Sequence, residues 1–321
     1  MNGVRTIPGR RPTARLALLT VLLGAALPAV AACRDEPAEP VRIRIATGSP
    51  TAVYHAFGES LAAILNREVP GVRASVVVTA ASAQNVQLVE SGGAELGFTQ
   101  ADVLSADPGV AHPQVVAVAR VYDDLLHLVT TAESPVRTVA DLRGRRVSVG
   151  AEGSGTGITA TRLLDVAGLD GPAVQRERLG LDASVSALRE GRIDAFFFSG
   201  GLPVRAIELL AGSTGIRLVD LGEWVEPLRR DHREVYVSRD IPSSVYGAEP
   251  VTTVANPNYL VVAADVPDSL VREVTRLLME RREELAAAHP AAGRMSVRSA
   301  IATAPLPLHP GAAAWYRASK P

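Results

Sequence analysis

Apolar and polar positions first alternate with period two. Val41 to Ala46 reads V-R-I-R-I-A, which predicts a strand. The run breaks at Gly48-Ser49-Pro50 and gives way to a helical periodicity from Ala52 to Asn66. Pro70-Gly71 ends that helix, and Val72 to Thr79 is a second β-rich run. Ser82 then stands where an N-cap belongs, ahead of a helix over Ala83 to Ser91 that Gly92-Gly93 stops. Further strands are predicted at Glu95 to Thr99, Val115 to Val121 and Leu125 to Thr131, with Asp123-Asp124 read as a solvated turn rather than a cation site. Strands alternating with helices to about residue 130 are what a parallel sheet requires.

The pattern then repeats. Arg146 to Gly150 predicts a strand, Gly153 to Gly157 a glycine-rich loop, and Ile158 to Ala167 a helix closed by Gly168. A helix over Ala183 to Glu190, a strand over Asp194 to Ser199 and a helix over Leu202 to Leu210 follow. Asn258 to Ala264 predicts a β-branched strand and Pro267 to His289 one long helix with an Arg/Glu solvent face, before a structured tail over Pro305 to Gly311. A chain that builds one α/β lobe, passes to a second and returns makes two lobes joined by two crossing strands. The expected division is residues 41–130 with 257–321 in lobe 1 and 131–256 in lobe 2, with a cleft between them.

Composition narrows the function. The 321 residues are 47% hydrophobic and 21% charged, which excludes disorder for most of the chain. Residues 1–33 hold Arg5, Arg10, Arg11 and Arg15 and no acid, so the remainder carries 29 basic against 34 acidic residues, a formal charge of −5. That balance argues against nucleic-acid binding, which needs dense basic patches. Leu16 to Val30 is an apolar run of 15 residues behind the basic leader, shorter than a membrane span wants and suited to a secretory signal. Cys33, the sole cysteine, follows Val30-Ala31-Ala32 in a pattern that resembles a bacterial lipobox. A lipidated Cys33 at an extracytoplasmic membrane face, a Pro- and charge-rich tether over 34–40 and a fold without disulfides are therefore expected.

Three strand-to-helix turns carry the candidate chemistry: Gly48-Ser49-Pro50-Thr51, Thr79 to Ser82, and Gly153-Ser154-Gly155-Thr156-Gly157. Backbone N–H groups at such turns favour an anion, and the carboxyl ends of parallel strands are where α/β sheets bind ligands. The last turn lacks the lysine of a P-loop and has Ile158 where a dinucleotide fingerprint needs glycine. Glu152 replaces the first glycine of a nucleophile elbow, and neither a zinc signature nor paired histidines occur. Neutral donors gripping an organic carboxylate are the expectation, with no cofactor, no metal and no catalytic residue. Gln100 and Asp102 end another strand and are placed to accept from an ammonium or hold a loop, Ser199 ends the strand after the phenylalanine run, and His127 is expected as a core or hinge residue.

The segments A-T-G-S-P-T-A-V-Y-H-A-F-G (46–58), T-A-A-S-A-Q-N-V (79–86), T-Q-A-D-V (99–103), D-L-R-G-R-R-V-S-V-G-A-E-G-S-G-T-G (141–157), G-R-I-D-A-F-F-F (191–198) and P-L-H-P-G-A (307–312) together resemble the TAXI group of TRAP transporter solute receptors. The resemblance covers nearly all of the chain after the leader. It implies an α/β, two-lobe type II periplasmic-binding-protein fold that captures glutamate, glutamine or a dicarboxylate for TRAP membrane subunits. The family's T-G-G-S-x-x-N pattern is kept at Ser82 and Asn85, with Ala80-Ala81 for the glycine pair. Tyr54 is implied to pack on the ligand. The expected ligand-binding set is Ser49, Thr51, Tyr54, Ser82, Asn85, Gln100, Asp102, Ser154, Gly155, Thr156, Gly157 and Ser199, in a monomeric receptor. The rivals are a sensory or adaptor receptor on the same fold, and an enzyme with Asp102 or His55 as general base.

Overall fold

The computed structural model describes residues 39–105, 112–232 and 235–319. The signal segment, Cys33 and most of the tether lie outside the described residues. Within them the strands are β1 (Val41–Ala46), β2 (Val72–Val77), β3 (Leu96–Gln100), β4 (Val115–Thr131), β5 (Arg146–Ser148), β6 (Gln175–Glu177), β7 (Ala195–Gly200), β8 (Ile216–Leu218), β9 (Val237–Ile241) and β10 (Val251–Ala263). The helices are α1 (Val53–Glu68), α2 (Ser82–Glu90), α3 (Gly155–Val166), α4 (Leu181–Arg189), α5 (Arg205–Thr214), α6 (Val225–His232), α7 (Ser243–Tyr246), α8 (Asp268–Glu280), α9 (Arg282–Ala288), α10 (Val297–Ala300) and α11 (Pro310–Ala318). Among the described residues no helix is long and apolar enough to cross a membrane.

The strands form one sheet in the order β2-β1-β3-β10-β4-β7-β5-β6, with β8 beside β4 and β9 beside β10. Its two ends are parallel, β2-β1-β3 and β7-β5-β6. Between them β10 and β4 pair antiparallel from Ala255↔Leu125 to Ala263↔Val115, with register shifts at Asn258/Tyr259 and Leu260/Val261. Each strand of this ribbon also pairs with one parallel set: β10 with β3 and β4 with β7.

Two expectations change here. Val115 to Thr131 is a single strand, so Asp123 and Asp124 sit in its interior and not in a solvated turn. Pairing with β10 overrides the local turn signal: Asp123 stands opposite Pro257 and Asp124 opposite Asn256, while Asp123 is held by Arg120 and Arg239. The helix expected over Pro267 to His289 is two, α8 and α9, parted at Arg281, whose guanidinium is drawn to Glu68 on α1.

Helices cover both faces of each parallel set. Helix α1 packs with α8, α9 and α11 through Phe57, Leu61, Leu277, Leu285 and Tyr316. Helix α2 covers the other face through Val86 and Val89. On the second set, Phe196 and Phe197 follow one another along β7 and so point to opposite faces. Phe197 joins Leu163, Leu164 and Leu228 of α3 and α6, and Phe196 joins Leu188, Ile207 and Leu210 of α4 and α5. His127 is buried in the ribbon, its Nδ1 2.8 Å from the Leu125 carbonyl and its Nε2 3.1 Å from the Tyr246 hydroxyl. Burial holds its pKa down to about 4, so it is a neutral core residue.

Candidate functional site

All six parallel strands point their carboxyl ends toward one cavity. Its volume is about 170 Å³. Four helices begin at its wall. Ala52, Val53 and Tyr54 open α1, Ala81 and Ser82 open α2, Ser154, Gly155 and Thr156 open α3, and Gly180 and Leu181 open α4. The first N–H groups of a helix have no intrahelical acceptor, and its dipole presents a partial positive charge there. Gly155 is needed for the approach of α3: a Cβ there would lie 2.0 Å from Gln100 Oε1 and 3.0 Å from Ser82 Oγ.

Of the expected set, Ser49, Tyr54, Ser82, Gln100, Ser154, Gly155, Thr156 and Ser199 line this cavity. Ser82 is the first residue of α2 and not its cap; the cap position is Ala81, at φ 87°. The Ser82 hydroxyl instead accepts the Gln100 N–H at 3.3 Å and lies 3.3 Å from the Tyr54 hydroxyl. Tyr54 donates to Asn258 Oδ1, which leaves Ser82 as the donor to Tyr54. The Tyr54 ring stacks on Phe98 with centroids 5.2 Å apart. Gln100 Nε2 donates to Asp124 Oδ2 at 2.8 Å and to Ser199 Oγ. Thr156 Oγ1 accepts the Ser199 N–H at 3.0 Å, and Ser154 caps α3 by accepting the Gly157 N–H.

The other four lie elsewhere. Thr51 is exposed and donates to Asp182, as Ser49 does, across the mouth of the cavity. Asn85 is fully buried beneath it, giving Nδ2 hydrogens to the carbonyls of Thr47 and Phe98 and accepting from Thr79. Its role in this arrangement is to tie the ends of β1 and β3 to α2. Asp102 accepts from Thr159 Oγ1 at 2.7 Å and from the Tyr236 hydroxyl at 2.9 Å, a buried link between β3 and the second parallel set. Gly157 spends its N–H on Ser154. His55 also stands off the cavity, its Nδ1 3.5 Å from Thr47 Oγ1.

Sequence reasoning missed Tyr122, Asp124 and the Gly180-Leu181 turn, all of which line the cavity. Asp124 is 4% exposed. Burial pushes its carboxyl up to about 7, against hydrogen bonding from the Gln100 and Asn258 amides, while Asp123 and Asp102 add repulsion. Its Oδ1 has no hydrogen-bond partner, and neither does the Tyr122 hydroxyl. The lining contains no arginine, lysine or histidine. Among the described residues no group of three or more His, Cys, Asp and Glu side chains could hold a metal.

A family model described as the NMT1-like family matches residues 45–318, nearly the whole of the described chain. The chain belongs to the NMT1-like family. Among solved structures, this NMT1-like chain is similar to the periplasmic aliphatic sulphonate binding protein SsuA from Escherichia coli, with 20% identity, 88% of this chain and 84% of that one covered, and a TM-score of 0.50. It is also similar to a putative L-cystine ABC transporter protein from Listeria monocytogenes, with 12% identity, 79% and 97% covered, and a TM-score of 0.52. At such identities the likeness is one of fold. The NMT1-like chain has the type II periplasmic-binding-protein fold, with the antiparallel ribbon of β4 and β10 between its two parallel sets.

Proposed function

We propose that this NMT1-like protein is a non-enzymatic extracytoplasmic receptor of the TAXI type, which captures a small carboxylate and presents it to TRAP membrane subunits. The observation that carries this reading is the convergence of four helix N-termini on one cavity at the carboxyl ends of both parallel sets. Lobe 1 (41–130 with 257–321) and lobe 2 (131–256) close on the ligand by bending the β4–β10 ribbon. Ser49, Tyr54, Ser82, Gln100, Ser154, Gly155, Thr156 and Ser199 contact it. A binding role suits the site better than catalysis: Asp102 and His55 do not line the cavity, and Asp124, the one carboxyl that does, has no histidine, lysine, arginine or second carboxyl beside it in the lining. Cys33 carries a lipid that keeps the monomeric receptor at the membrane.

A thermal-shift screen of acidic metabolites and amino acids on the purified protein tests the reading. A ligand at 100 times its dissociation constant raises stability by about 2.7 kcal/mol, a readily measured shift. Failure of every small carboxylate to stabilise the protein would overturn it. Cys33→Ala is expected to release the protein from the membrane fraction, and an unchanged distribution would remove the anchor.

A further inference from the structure

We propose that the cavity is built for an α-amino acid with an uncharged side chain, its ammonium against Asp124 and its carboxylate against the N–H groups that open α3. This deepens the receptor reading and rests on it. The lining carries one ionisable carboxyl, Asp124, and no basic side chain. Asp124 Oδ1 is buried without a hydrogen-bond partner, as are the Tyr122 hydroxyl and Asn258 Nδ2, so among the described residues Gln100 Nε2 is the one donor bonded to the carboxyl at good geometry. An ammonium brings three.

The carboxylate end is provided by Gly155 and Thr156, the first two residues of a 12-residue helix. The two ends flank the Gln100 amide: Nε2 is 2.8 Å from Asp124 Oδ2, and Oε1 lies against Gly155. That short span matches charges on one α-carbon better than charges at the ends of a chain. The remaining wall includes Val53, Leu179, Leu181 and Phe198. A second carboxylate would face those apolar groups or Asp124 itself, with no cation to offset the repulsion.

Isothermal titration of the full-length protein with L-alanine, L-valine, L-leucine and L-phenylalanine, their matched 2-oxo acids, L-glutamate and succinate tests the assignment. At least one of the four amino acids should bind, roughly 10- to 100-fold more tightly than its 2-oxo acid, as loss of one charge-assisted hydrogen bond implies. Asp124→Asn should weaken that amino acid by a similar factor while unfolding cooperatively. Tighter binding of a 2-oxo acid, glutamate or succinate, or an unchanged amino-acid affinity in Asp124→Asn, would overturn the amino-acid assignment and leave a carboxylate receptor standing. Absence of binding by every compound would overturn both.

Discussion

Asp124→Asn should make the ligand-free protein more stable at neutral pH, by an amount that depends on pH. The wild-type carboxyl is displaced by burial from 3.8 to about 7. At about 1.4 kcal/mol for each tenfold change in proton affinity, this corresponds to about 4 kcal/mol. The native state holds the proton more tightly than the unfolded chain. The contribution is therefore fully present below pH ~4, declines as the pH rises toward ~7, and is lost above that. The groups facing Asp124 do not reverse the sign. Asp123 and Asp102 oppose its ionisation, Gln100 and Asn258 favour it, and Tyr54 and Tyr122 stay neutral because burial raises both. Asparagine retains an acceptor for Gln100 Nε2 and carries no charge. Urea unfolding of both proteins between pH 5 and pH 8 should show the variant's advantage growing by about 1.4 kcal/mol per pH unit and levelling above pH ~7. A difference that stays flat over that range would refute the reasoning, since the carboxyl would then be ionised throughout.

Two further outcomes follow from backbone geometry. Gly155→Ala would set a Cβ 2.0 Å from Gln100 Oε1, so the Gln100 amide should turn away and lose its bonds to Asp124 and Ser199 at a cost of about 1–3 kcal/mol; an unchanged urea midpoint would contradict this. Ala81 holds φ 87° and ψ −142°, a region nearly reserved for glycine. Ala81→Gly should therefore stabilise the protein by about 1 kcal/mol once glycine's extra chain entropy is allowed for, and a lowered melting temperature would show that Ala81 is unstrained.

The part of the site that the sequence made legible is local. A glycine-hydroxyl turn between a strand and a helix announces itself within a few residues, and all three such turns bring the N-termini of α1, α2 and α3 to the cavity. Asp124 was hidden because its environment is not local. Two adjacent aspartates between apolar runs read as a turn until β10 pairs with them from the far end of the chain. The same pairing accounts for the short β10 that periodicity suggested: Val251 to Pro257 mixes threonine, asparagine and proline, and only its neighbours β4 and β9 make it a strand. The three-residue strands β6 and β8 are too brief for any period to register. Asn85, Asp102 and Gly157 carried the right residue types in the right segments, but each side chain or N–H is consumed by a neighbour that only the tertiary arrangement supplies.

The irregularity of the ribbon lies next to the cavity wall. The pairing of β4 with β10 slips between Asn258 and Tyr259, and Asn258 stands opposite Tyr122, two residues from Asp124. Asn258 also accepts the Tyr54 hydroxyl. The slip of the ribbon and the wall of the cavity thus meet at Tyr54 and Tyr122, which line the cavity while Asn258 pairs with one and bonds the other. Under the proposed closure, a guest against that wall would press on the bend itself, with no relay of intermediate residues.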